Sequence, residues 1–577
     1  MLAAMPPTPP TPANRDEAPA RAAAVAVAAA VAAVPTAEPV AAPVAVPVAA
    51  PVAAPVAAVA AAQVVAVAAA PVAAMAAVTA PAVTAPVVTA PVRAGAAPVR
   101  ERGDACPGAL RLHPADDGRL ARLRLPAGHL TYRQARTLAT AAERLGDGHL
   151  DITSRGNLQL RGLGASCGGE LAELLREAGL LPSQEHERVR NIVASPLSGV
   201  DEVPPADVFL WARELDALLC ASPAATALSG RFLFALDDGR GDVASLGADV
   251  TLLARRDGTA TVHTGTNHPG LRVAATDAPR AALLAAETFL TVAAASGSGA
   301  WRVAELPAGH GGRTLSAAVA ARLAEAGIAA EAGITAEAGI AAEEVGTGDT
   351  GTGSAGTAGS AGARAVAAGP PASYAPAEPP APGIVRSPDG TSAAVSVYPP
   401  LGRLSVAQWR ALLSAERDGS HGIRLTPWRG VVVPGLEPAA AERLLDRLRT
   451  AGLITAPDSP WHGVGACTGR PGCAKALADV RSDAATTLRA AGRDALPVHW
   501  SGCARRCGHP QGDHVNVIAT AEGDYTVSVT GPLAAPVPPV PPVPPVTPVP
   551  PVPVPPSELA AAVATARTSQ ATTAATR

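Results

Sequence analysis

The hydrophobic pattern between residues 104 and 300 switches between strand-like and helix-like stretches. Residues 121–126 alternate apolar and charged positions, as expected of a strand with one buried face. Residues 131–145 instead place apolar side chains at helical spacing on one face, namely Ala135, Leu138, Ala142 and Leu145. The same reasoning predicts strands at 150–153, 157–160, 230–237 and 250–254, and helices at 171–178 and 281–295. This mixture of elements predicts an α/β or α+β class.

The pattern recurs further along the chain. A shift of 274 residues (400 − 126) aligns a second segment with the first. Further along, the match continues with a shift that is one residue shorter (426 − 153 = 273). The matched pairs are Pro126/Pro400, Gly128/Gly402, Leu130/Leu404, Gln134/Gln408, Arg136/Arg410, Leu138/Leu412, Thr153/Thr426, Gly162/Gly435 and Leu163/Leu436. They fall at corresponding places in two strand–helix–strand units, so they predict an internal duplication. Two such modules leave a cleft between them, a common place for a large ligand.

The N-terminal residues 1–103 carry no such pattern. They consist almost entirely of Ala, Pro and Val. Proline recurs too often for a helix, and alanine buries too little surface to offset the ordering entropy. The longest proline-free apolar runs, 22–34 and 56–70, are shorter than the roughly 18–20 residues that a membrane-spanning helix requires, and no basic segment resembles a secretion signal. We therefore expect a disordered tail, no membrane contact and a cytoplasmic location.

Low-complexity sequence also separates the two modules and ends the chain. A six-residue repeat begins at Glu325, Glu331 and Glu337, and Gly, Ser, Thr and Pro then dominate, which indicates a linker. Residues 351–356 match G-x-G-x-x-G, but without a preceding strand or a following helix they do not predict a dinucleotide site. The Pro/Val run near the C terminus is typical of a polyproline spacer. The predicted division is a tail (1–103), a first half (104–300), a linker (301–385), a second half (386–460), a cysteine-bearing region (461–532) and a tail (533–577).

Four of the seven cysteines lie between residues 467 and 507. Cys467 and Cys473 form C-x5-C, Cys503 and Cys507 form C-x3-C, and each pair lies in a turn with Gly or Pro nearby. Four thiolates from two turns can hold a [4Fe–4S] cluster. A zinc site usually shows C-x2–4-C spacing, and disulfides require an oxidising compartment. The spacing favours the cluster, with zinc and plain structural cysteines as alternatives. The three other cysteines lack motif spacing and are expected in the core: Cys106, Cys167 and Cys220.

These features together resemble the sulfite/nitrite reductase superfamily, over roughly 106–300 and 390–530. The phrases at 231–239, 425–430 and 502–510 are most similar to its precorrin-3B synthase branch. The resemblance implies an α+β fold in which duplicated ferredoxin-like halves surround a tetrapyrrole and a [4Fe–4S] cluster. It also implies that the cluster ligands are Cys467, Cys473, Cys503 and Cys507. In the reductases the thiolate of the last cysteine bridges the cluster to sirohaem iron, and Cys507 is the matching position in this sequence.

The resemblance further implies basic residues that contact the tetrapyrrole. Guanidinium groups suit the acetate and propionate groups of such rings because they bind carboxylates bidentately and stay charged. The alternative for each arginine is a solvated surface charge. Leu233 stands at the second Lys of a Lys-x-Lys pair that lines the reductases' anion pocket, which argues against sulfite chemistry. The predicted tetrapyrrole-binding residues are Arg124, Arg155, Arg190, Arg231 and Arg429.

For the precorrin-3B synthase branch, the implied reaction is hydroxylation of precorrin-3A at C20 with γ-lactone formation, which consumes O2. An additional non-haem iron would activate the oxygen, and its candidate ligands are His462, His499, His509 and His514, each more often structural than ligating. The first alternative is a sirohaem-dependent ferredoxin sulfite or nitrite reductase. The second, of a different class, is a non-catalytic iron–sulfur scaffold or redox sensor.

The implied electron donor is external, either NADH-linked or of the ferredoxin type, because no dinucleotide fingerprint is present. Nucleic acid is not an expected partner. Lys plus Arg total 46 against 49 Asp plus Glu, a formal charge of −3, and no basic tail or stripe is present.

Overall fold

The structure is a computed structural model that describes residues 104–332, 378–530 and 553–568, apart from 105, 203, 267, 269, 416–420, 488–495, 511 and 521–523. The predicted N-terminal tail before 104 lies outside the described residues. So do the G-x-G-x-x-G segment, most of the six-residue repeats and the Pro/Val run at 531–552.

The first repeat (113–177) is a strand-rich unit with two helices. Its elements are β1 (His113–Ala115), β2 (Gly118–Leu123), β3 (His129–Leu130), α1 (Tyr132–Leu145), β4 (His149–Ile152), β5 (Leu158–Leu163) and α2 (Gly168–Glu177). The predicted helix at 131–145 is confirmed, with Thr131 as its N-cap. The Thr131 hydroxyl accepts from the Gln134 N–H, and the Gln134 side chain accepts from the Thr131 N–H, so both cap donors are satisfied.

A middle module (192–332) follows. Its elements are β6 (Ile192–Ala194), α3 (Val208–Ala221), β7 (Phe234–Asp237), β8 (Val250–Ala254), β9 (Thr259–Thr264), β10 (Leu271–Ala274), α4 (Ala278–Ser296), α5 (Arg313–Glu325) and β11 (Glu331–Ala332). The strands form one sheet in the order β11-β10-β9-β8-β7-β6. The predicted first half at 104–300 is thus two units with separate sheets, and α5 lies inside the range predicted as linker. Its Leu315, Val319 and Leu323 are buried, which is why the segment forms a helix.

One helical segment among the described residues, Ala275–Ser296, is long and apolar enough to cross a membrane by length and composition alone. Over half of its most apolar window (56%) is buried inside the fold. Its side chains Ala281, Leu284 and Phe289 pack into the same core as the middle sheet. The helix is therefore accounted for as a core element.

The second repeat (383–450) has the same order of elements as the first. They are β12 (Gly383–Arg386), β13 (Ala393–Val397), β14 (Arg403–Ser405), α6 (Val406–Leu412), β15 (Ile423–Leu425), β16 (Val431–Leu436) and α7 (Pro438–Thr450). Ser405 and Gln408 repeat the capping box of α1. Ala127 and Leu401, which are 274 residues apart, share the same unusual backbone angles of φ 56° and ψ 16°. This shared local geometry agrees with the predicted duplication.

The two repeats exchange a strand. β14 of the second repeat completes the first sheet, in the order β1-β2-β5-β4-β14, and β3 of the first repeat completes the second, in the order β12-β13-β16-β15-β3. The indole N–H of Trp409 donates to the Ala135 carbonyl at 2.8 Å across the same junction. One hydrophobic core therefore runs through both repeats.

The cysteine module (464–568) completes the described fold. Its elements are β17 (Val464–Ala466), α8 (Val480–Thr487), β18 (Val498–Ser501), β19 (His514–Ala519), β20 (Tyr525–Thr530), β21 (Pro553–Val554) and α9 (Pro556–Thr568). They form one sheet in the order β17-β18-β19-β20-β21. Part of the predicted C-terminal tail is thus structured, because β21 pairs with β20 and Leu559 and Val563 of α9 are buried in the module core.

Candidate functional site

The two cysteine pairs start from neighbouring parallel strands. β17 and β18 pair in parallel, so their C-terminal ends meet at the same edge of the sheet. Cys467 directly follows β17, and Cys503 follows β18 after Gly502. The Cys467 N–H donates to the Trp500 carbonyl at 2.9 Å, and the Gly502 N–H donates to the Cys467 sulfur at 3.2 Å. The sequence-distant turns therefore converge.

The four thiols lie close enough to influence one another. Burial raises the pKa of the Cys507 thiol, and the negative charges of Cys467, Cys503 and Cys473 raise it further. All four are free cysteines. Among the described residues, the only group of three potential metal ligands within 4.8 Å of one another consists of aspartates, so no three of these sulfurs lie that close. Tetrahedral zinc with bonds of about 2.3 Å requires sulfurs roughly 3.8 Å apart. This donor set fits a [4Fe–4S] cluster better, because a cubane holds its ligands on separate irons.

Side chains from other elements hold the backbone of the cysteine turns. Arg161 of β5, which also forms a bidentate ion pair with Asp117, donates to the Gly472 carbonyl at 2.6 Å. Arg481 of α8 donates to the Cys467 carbonyl at 3.3 Å and to Asp151 of β4 at 2.8 Å. The ring Nε2 of His499 lies 3.0 Å from the Cys507 carbonyl. The turns are thereby fixed to the first repeat and to their own sheet.

A group of buried arginines gathers around Arg124. Arg124 is 5% exposed, and its hydrogen bonds to described residues go to the carbonyls of Arg188 and Gly230. Burial lowers the pKa of Arg124 to about 9, and the neighbouring cations of Arg122 and Arg155 contribute. Burial likewise lowers the pKa of Arg155 to about 10, with a further contribution from the Arg302 cation. Cations gathered out of water with few carboxylates are suited to an anionic ligand.

The structure does not bring all the predicted arginines into this group. Arg190 is buried and forms a bidentate ion pair with Asp216, at 2.6 and 2.7 Å, so its guanidinium has a structural partner. Arg231 is 44% exposed, pairs with Glu305 at 3.4 Å and lies over the Trp301 ring. Arg429 lies at the cysteine turns, where it donates to the Gly508 carbonyl at 2.8 Å.

Comparison with known proteins matches both repeats to one domain family. The sequence profile of the nitrite/sulfite reductase ferredoxin-like half domain matches residues 113–178 and again 385–451. The two repeats are therefore each similar to this half domain. The solved structure of the Mycobacterium tuberculosis NirA protein has the same fold, with a TM-score of 0.51 and 18% identity, over 71% of this chain and 74% of that one. The expected α+β fold with duplicated ferredoxin-like halves is thus confirmed.

Two relatives are similar to very different shares of the chain. It is 28% identical to a precorrin-3B synthase of Sinorhizobium sp. over 440 residues, covering 74% of this chain and 83% of that protein. It is 37% identical to a ferredoxin–nitrite reductase of Synechococcus elongatus over 148 residues, covering 24% of this chain and 28% of that protein. The similarity to nitrite reductase is therefore partial.

The sequence reasoning did not single out Arg122 and Gln159, which lie beside these arginines. Arg122 lies two residues before Arg124 on the same extended run, hence on the same face. Its guanidinium donates to the Gln159 amide oxygen at 2.9 Å, and its buried Nε has no hydrogen-bond partner among the described residues. Burial lowers the pKa of Arg122, while the negative charges of Cys106 and Cys507 raise it. The period-two spacing of Arg122 and Arg124 was the available signal.

Cys106 was predicted to lie in the core, but it lies beside the arginines. It is half-buried, and its Cβ lies 3.0 Å from the position that a Cβ on Gly230 would take. Burial raises the pKa of the Cys106 thiol, the nearby Asp104 raises it further, and the cations of Arg124 and Arg122 oppose this rise. Cys167 and Cys220 are also only partly buried.

The candidate iron-binding histidines have separate surroundings. His509 and His514 stack with ring centroids 5.6 Å apart, His462 contacts the Tyr398 ring, and His499 faces the Cys507 carbonyl. None belongs to the one group of close ligand atoms found in the described part of the chain, Asp237, Asp238 and Asp242. These aspartates accept hydrogen bonds from their own loop and from Ser195, which explains the group without a metal.

Proposed function

We propose that this protein is a precorrin-3B synthase, a cytoplasmic iron–sulfur monooxygenase of aerobic cobalamin biosynthesis. It would hydroxylate precorrin-3A at C20, and an acetate side chain would close a γ-lactone. One atom of O2 enters the ring, and the other leaves as water with two electrons and two protons from an external donor. The similarity supports this proposal because it extends over 83% of the precorrin-3B synthase but over only 28% and 18% of two nitrite reductases.

The observation that carries the proposal is the apolar Leu233 at the second position of the Lys-x-Lys pair with which the reductases, by the resemblance, line an anion pocket. Leu233 is 4% exposed and packs with Val193, Ala235 and Val243 in a small apolar cluster that also contacts Trp428. Arg231, at the other position, is exposed and engaged by Glu305 and Trp301. The apolar Leu233 side chain cannot bind a small anion such as sulfite or nitrite as a lysine would, whereas an apolar surface suits O2.

The remaining residues divide into two tasks. Cys467, Cys473, Cys503 and Cys507 would hold the [4Fe–4S] cluster, which supplies single electrons. Arg122, Arg124 and Arg155 would bind the carboxylates of the tetrapyrrole and fix its orientation, since they are desolvated and largely without carboxylate partners. The proposed oxygenation also calls for an oxygen-activating non-haem iron, to which we assign no ligands.

The donor would be a protein with an acidic surface. The cysteine turns carry the exposed cations Arg470, Lys475, Arg505 and Arg506, together with the exposed apolar side chain of Leu477. Complementary charge steers such encounters and raises association rates. This arrangement supports a ferredoxin-type donor over a dinucleotide bound by this chain. The seven free cysteines suit a reducing compartment such as the cytoplasm.

The test is anaerobic purification followed by iron and acid-labile sulfide analysis, a visible spectrum, and turnover of precorrin-3A with O2 and a reductant. We expect about four irons per cluster, no sirohaem bands and formation of the hydroxylated lactone. A sirohaem spectrum with viologen-driven sulfite or nitrite reduction would identify a reductase instead. A cluster without tetrapyrrole binding would indicate an electron-transfer scaffold.

Cys507→Ser tests the ligand assignment in the same preparation. We expect the cluster absorbance to be lost, because a serine hydroxyl replaces one of four thiolates. Cys167→Ser is the matched control, since that thiol donates to the Gly164 carbonyl at the start of α2, outside the cysteine module. An intact cluster in Cys507→Ser refutes the assignment.

A further inference from the structure

Two equivalent turns share one left-handed backbone position but have different residues there. In the first repeat, the Thr153 N–H donates to the Asn157 carbonyl, and in the second the Thr426 N–H donates to the Gly430 carbonyl, both at 2.9 Å. Gly156 has φ +64° in the first turn, and Arg429 has φ +63° in the second. Glycine adopts this left-handed conformation freely, whereas an arginine is strained in it. A strained residue persists where the surrounding structure requires its side chain.

Three glycines leave room for the Arg429 side chain. A Cβ on Gly402 would lie 2.7 Å from the Arg429 Cδ, and a Cβ on Gly508 would lie 2.3 Å from its Nη2. A Cβ on Gly465 would lie 3.5 Å from its Nη1. These glycines come from the second repeat, the last cysteine turn and β17. The guanidinium therefore reaches the cysteine module through a passage that larger residues at Gly402 and Gly508 would block.

The passage ends at the last cysteine ligand of the proposed cluster. Arg429 Nη2 donates to the Gly508 carbonyl at 2.8 Å, and His499 contacts the adjacent Cys507 carbonyl at 3.0 Å. Two consecutive carbonyls are thus held by buried or half-buried side chains. Arg429 directly follows Trp428 in the sequence, and Trp428 contacts the apolar cluster around Leu233. Arg429 thus connects the chain next to that cluster with the Gly508 carbonyl, which directly follows Cys507.

We propose that Arg429 is a positioning residue: it fixes the Cys507 turn against the second repeat and places a cation beside the cluster. This inference rests on the proposed role of Cys507 as a cluster ligand. It assigns Arg429 to the cluster in place of the tetrapyrrole-binding role predicted from the sequence. Outer-shell partners of metal ligands typically affect metal affinity by about 10- to 100-fold, and nearby charge and hydrogen bonding set cluster potentials.

The experiment compares full-length wild type with Arg429→Gly, Arg429→Lys and the exposed control Arg449→Ala, all reconstituted anaerobically with iron and sulfide. Arg429→Gly reproduces the residue of the first repeat and relieves the backbone. We expect chelator-driven cluster loss to be about tenfold faster and the midpoint potential to be lower, while the cluster-free protein unfolds at a temperature no lower than wild type. Arg429→Lys retains the positive charge. Its midpoint potential should therefore be close to that of wild type, while its rate of cluster loss should stay nearer to that of Arg429→Gly.

A wild-type loss rate and potential in Arg429→Gly overturns the inference while leaving the proposed function standing. Failure of wild type to take up a cluster overturns the ligand assignment and this inference together. If Arg429→Gly does not fold, Arg429→Lys decides, because it keeps the backbone and charge and changes only the donor geometry. An unchanged loss rate in Arg429→Lys then counts against the role.

Discussion

The partner of each buried guanidinium separates the arginines into two groups. Arg124 donates to carbonyls only, and no hydrogen bond joins the Arg155 guanidinium to another described residue. Arg190 instead forms a two-pronged ion pair with Asp216. A cation whose desolvation is not offset by a carboxylate destabilises the fold and is retained where a ligand requires it. The hydrogen-bond partners of a buried arginine, and not its burial alone, therefore indicate its role.

Arg155→Met and Arg190→Met are expected to have opposite effects. Arg155→Met removes a desolvated cation, so the unfolding temperature should stay level or rise. The affinity for an iron-free polycarboxylate porphyrin should fall about 10- to 100-fold, because a hydrogen bond to a charged group contributes about 1.5–3 kcal/mol. Arg190→Met leaves the Asp216 carboxylate unpaired and should destabilise by roughly 3–5 kcal/mol. Thermal unfolding and fluorescence titration measure both. Equal loss of stability in the two variants would contradict this division.

Asp242 predicts a pH dependence. Burial, assisted by the charge of Asp237, raises the pKa of Asp242 to about 7. The folded chain therefore retains a proton that the unfolded chain has released above its ordinary value of 3.8. The resulting stability is fully present below that value and is lost as the pH rises through about 7.

Asp242→Asn should consequently gain unfolding free energy over wild type, by up to about 1.4 kcal/mol for each pH unit between 3.8 and about 7, so its gain should be much larger at pH 8 than at pH 5. The amide keeps an oxygen for the Ser195 hydroxyl, which lies 2.5 Å from the carboxylate. Asp446→Asn on α7, whose carboxylate is 70% exposed, is the control. Parallel stability curves for Asp242→Asn and wild type would show that this carboxyl does not titrate as expected.

Elements with a clear local signal were predictable, and those that depend on distant partners were not. The helix at 131–145 was found because its apolar spacing and its capping residues agree. Helix α9 was missed because its alanine-rich sequence follows a Pro/Val run and, among its described residues, the buried apolar side chains are those of Leu559 and Val563 alone. The exchange of β3 and β14 has no local signal, since strand pairing over such distances is decided by the assembled sheet.

The cysteine spacing singled out the four thiols whose turns converge in the fold, because residue type and interval can be read directly from the sequence. It could not show which arginines face them. Arg122 and Arg190 look alike along the chain, and only the folded partners, Gln159 and Asp216, distinguish them.

Helix α9 is expected to stabilise the cysteine module. The buried Arg567 donates to the carbonyls of Leu496 and His462, which precede the two strands that lead to Cys503 and Cys467. Truncation after Thr530 removes this contact and exposes the module core, where a buried Leu or Val contributes about 1.5–3 kcal/mol. We expect lower cluster content and a lower unfolding temperature, measured by iron analysis and calorimetry.

Two variants sharpen this expectation. Truncation after Thr568 removes only residues beyond α9 and should behave as wild type. Arg567→Ala should lower the cluster content without removing the helix, because it leaves the Leu496 and His462 carbonyls without their donor. Wild-type cluster content in the chain that ends at Thr530 would show that α9 is dispensable.

At the scale of the whole molecule, a single lysine offers a probe of donor docking. Lys475 is the only lysine in the 577 residues, and it is exposed between the two cysteine pairs. A carbodiimide should therefore join Lys475 to a carboxylate of a bound acidic electron-transfer protein, and mass spectrometry of the product identifies the position. Both the crosslink and the electron-transfer rate should decline with rising salt, since screening weakens steering between charged surfaces.

Lys475→Arg is the matched control, because it keeps the positive charge and removes the amine. The crosslink should disappear while electron transfer continues at close to the wild-type rate. Crosslinking only at the N-terminal amine, or electron transfer that is insensitive to salt, would place the donor elsewhere on the protein.

The strand exchange between the repeats bears on what one repeat could do by itself. Each repeat lacks one strand of its own sheet and receives it from the other, so neither is complete alone. A polypeptide that carried one repeat would therefore have to take its missing strand from a second copy, and two identical copies would carry the same residue in both turns. Joining the repeats in one chain lets the turns differ, and here one carries Gly156 and the other Arg429.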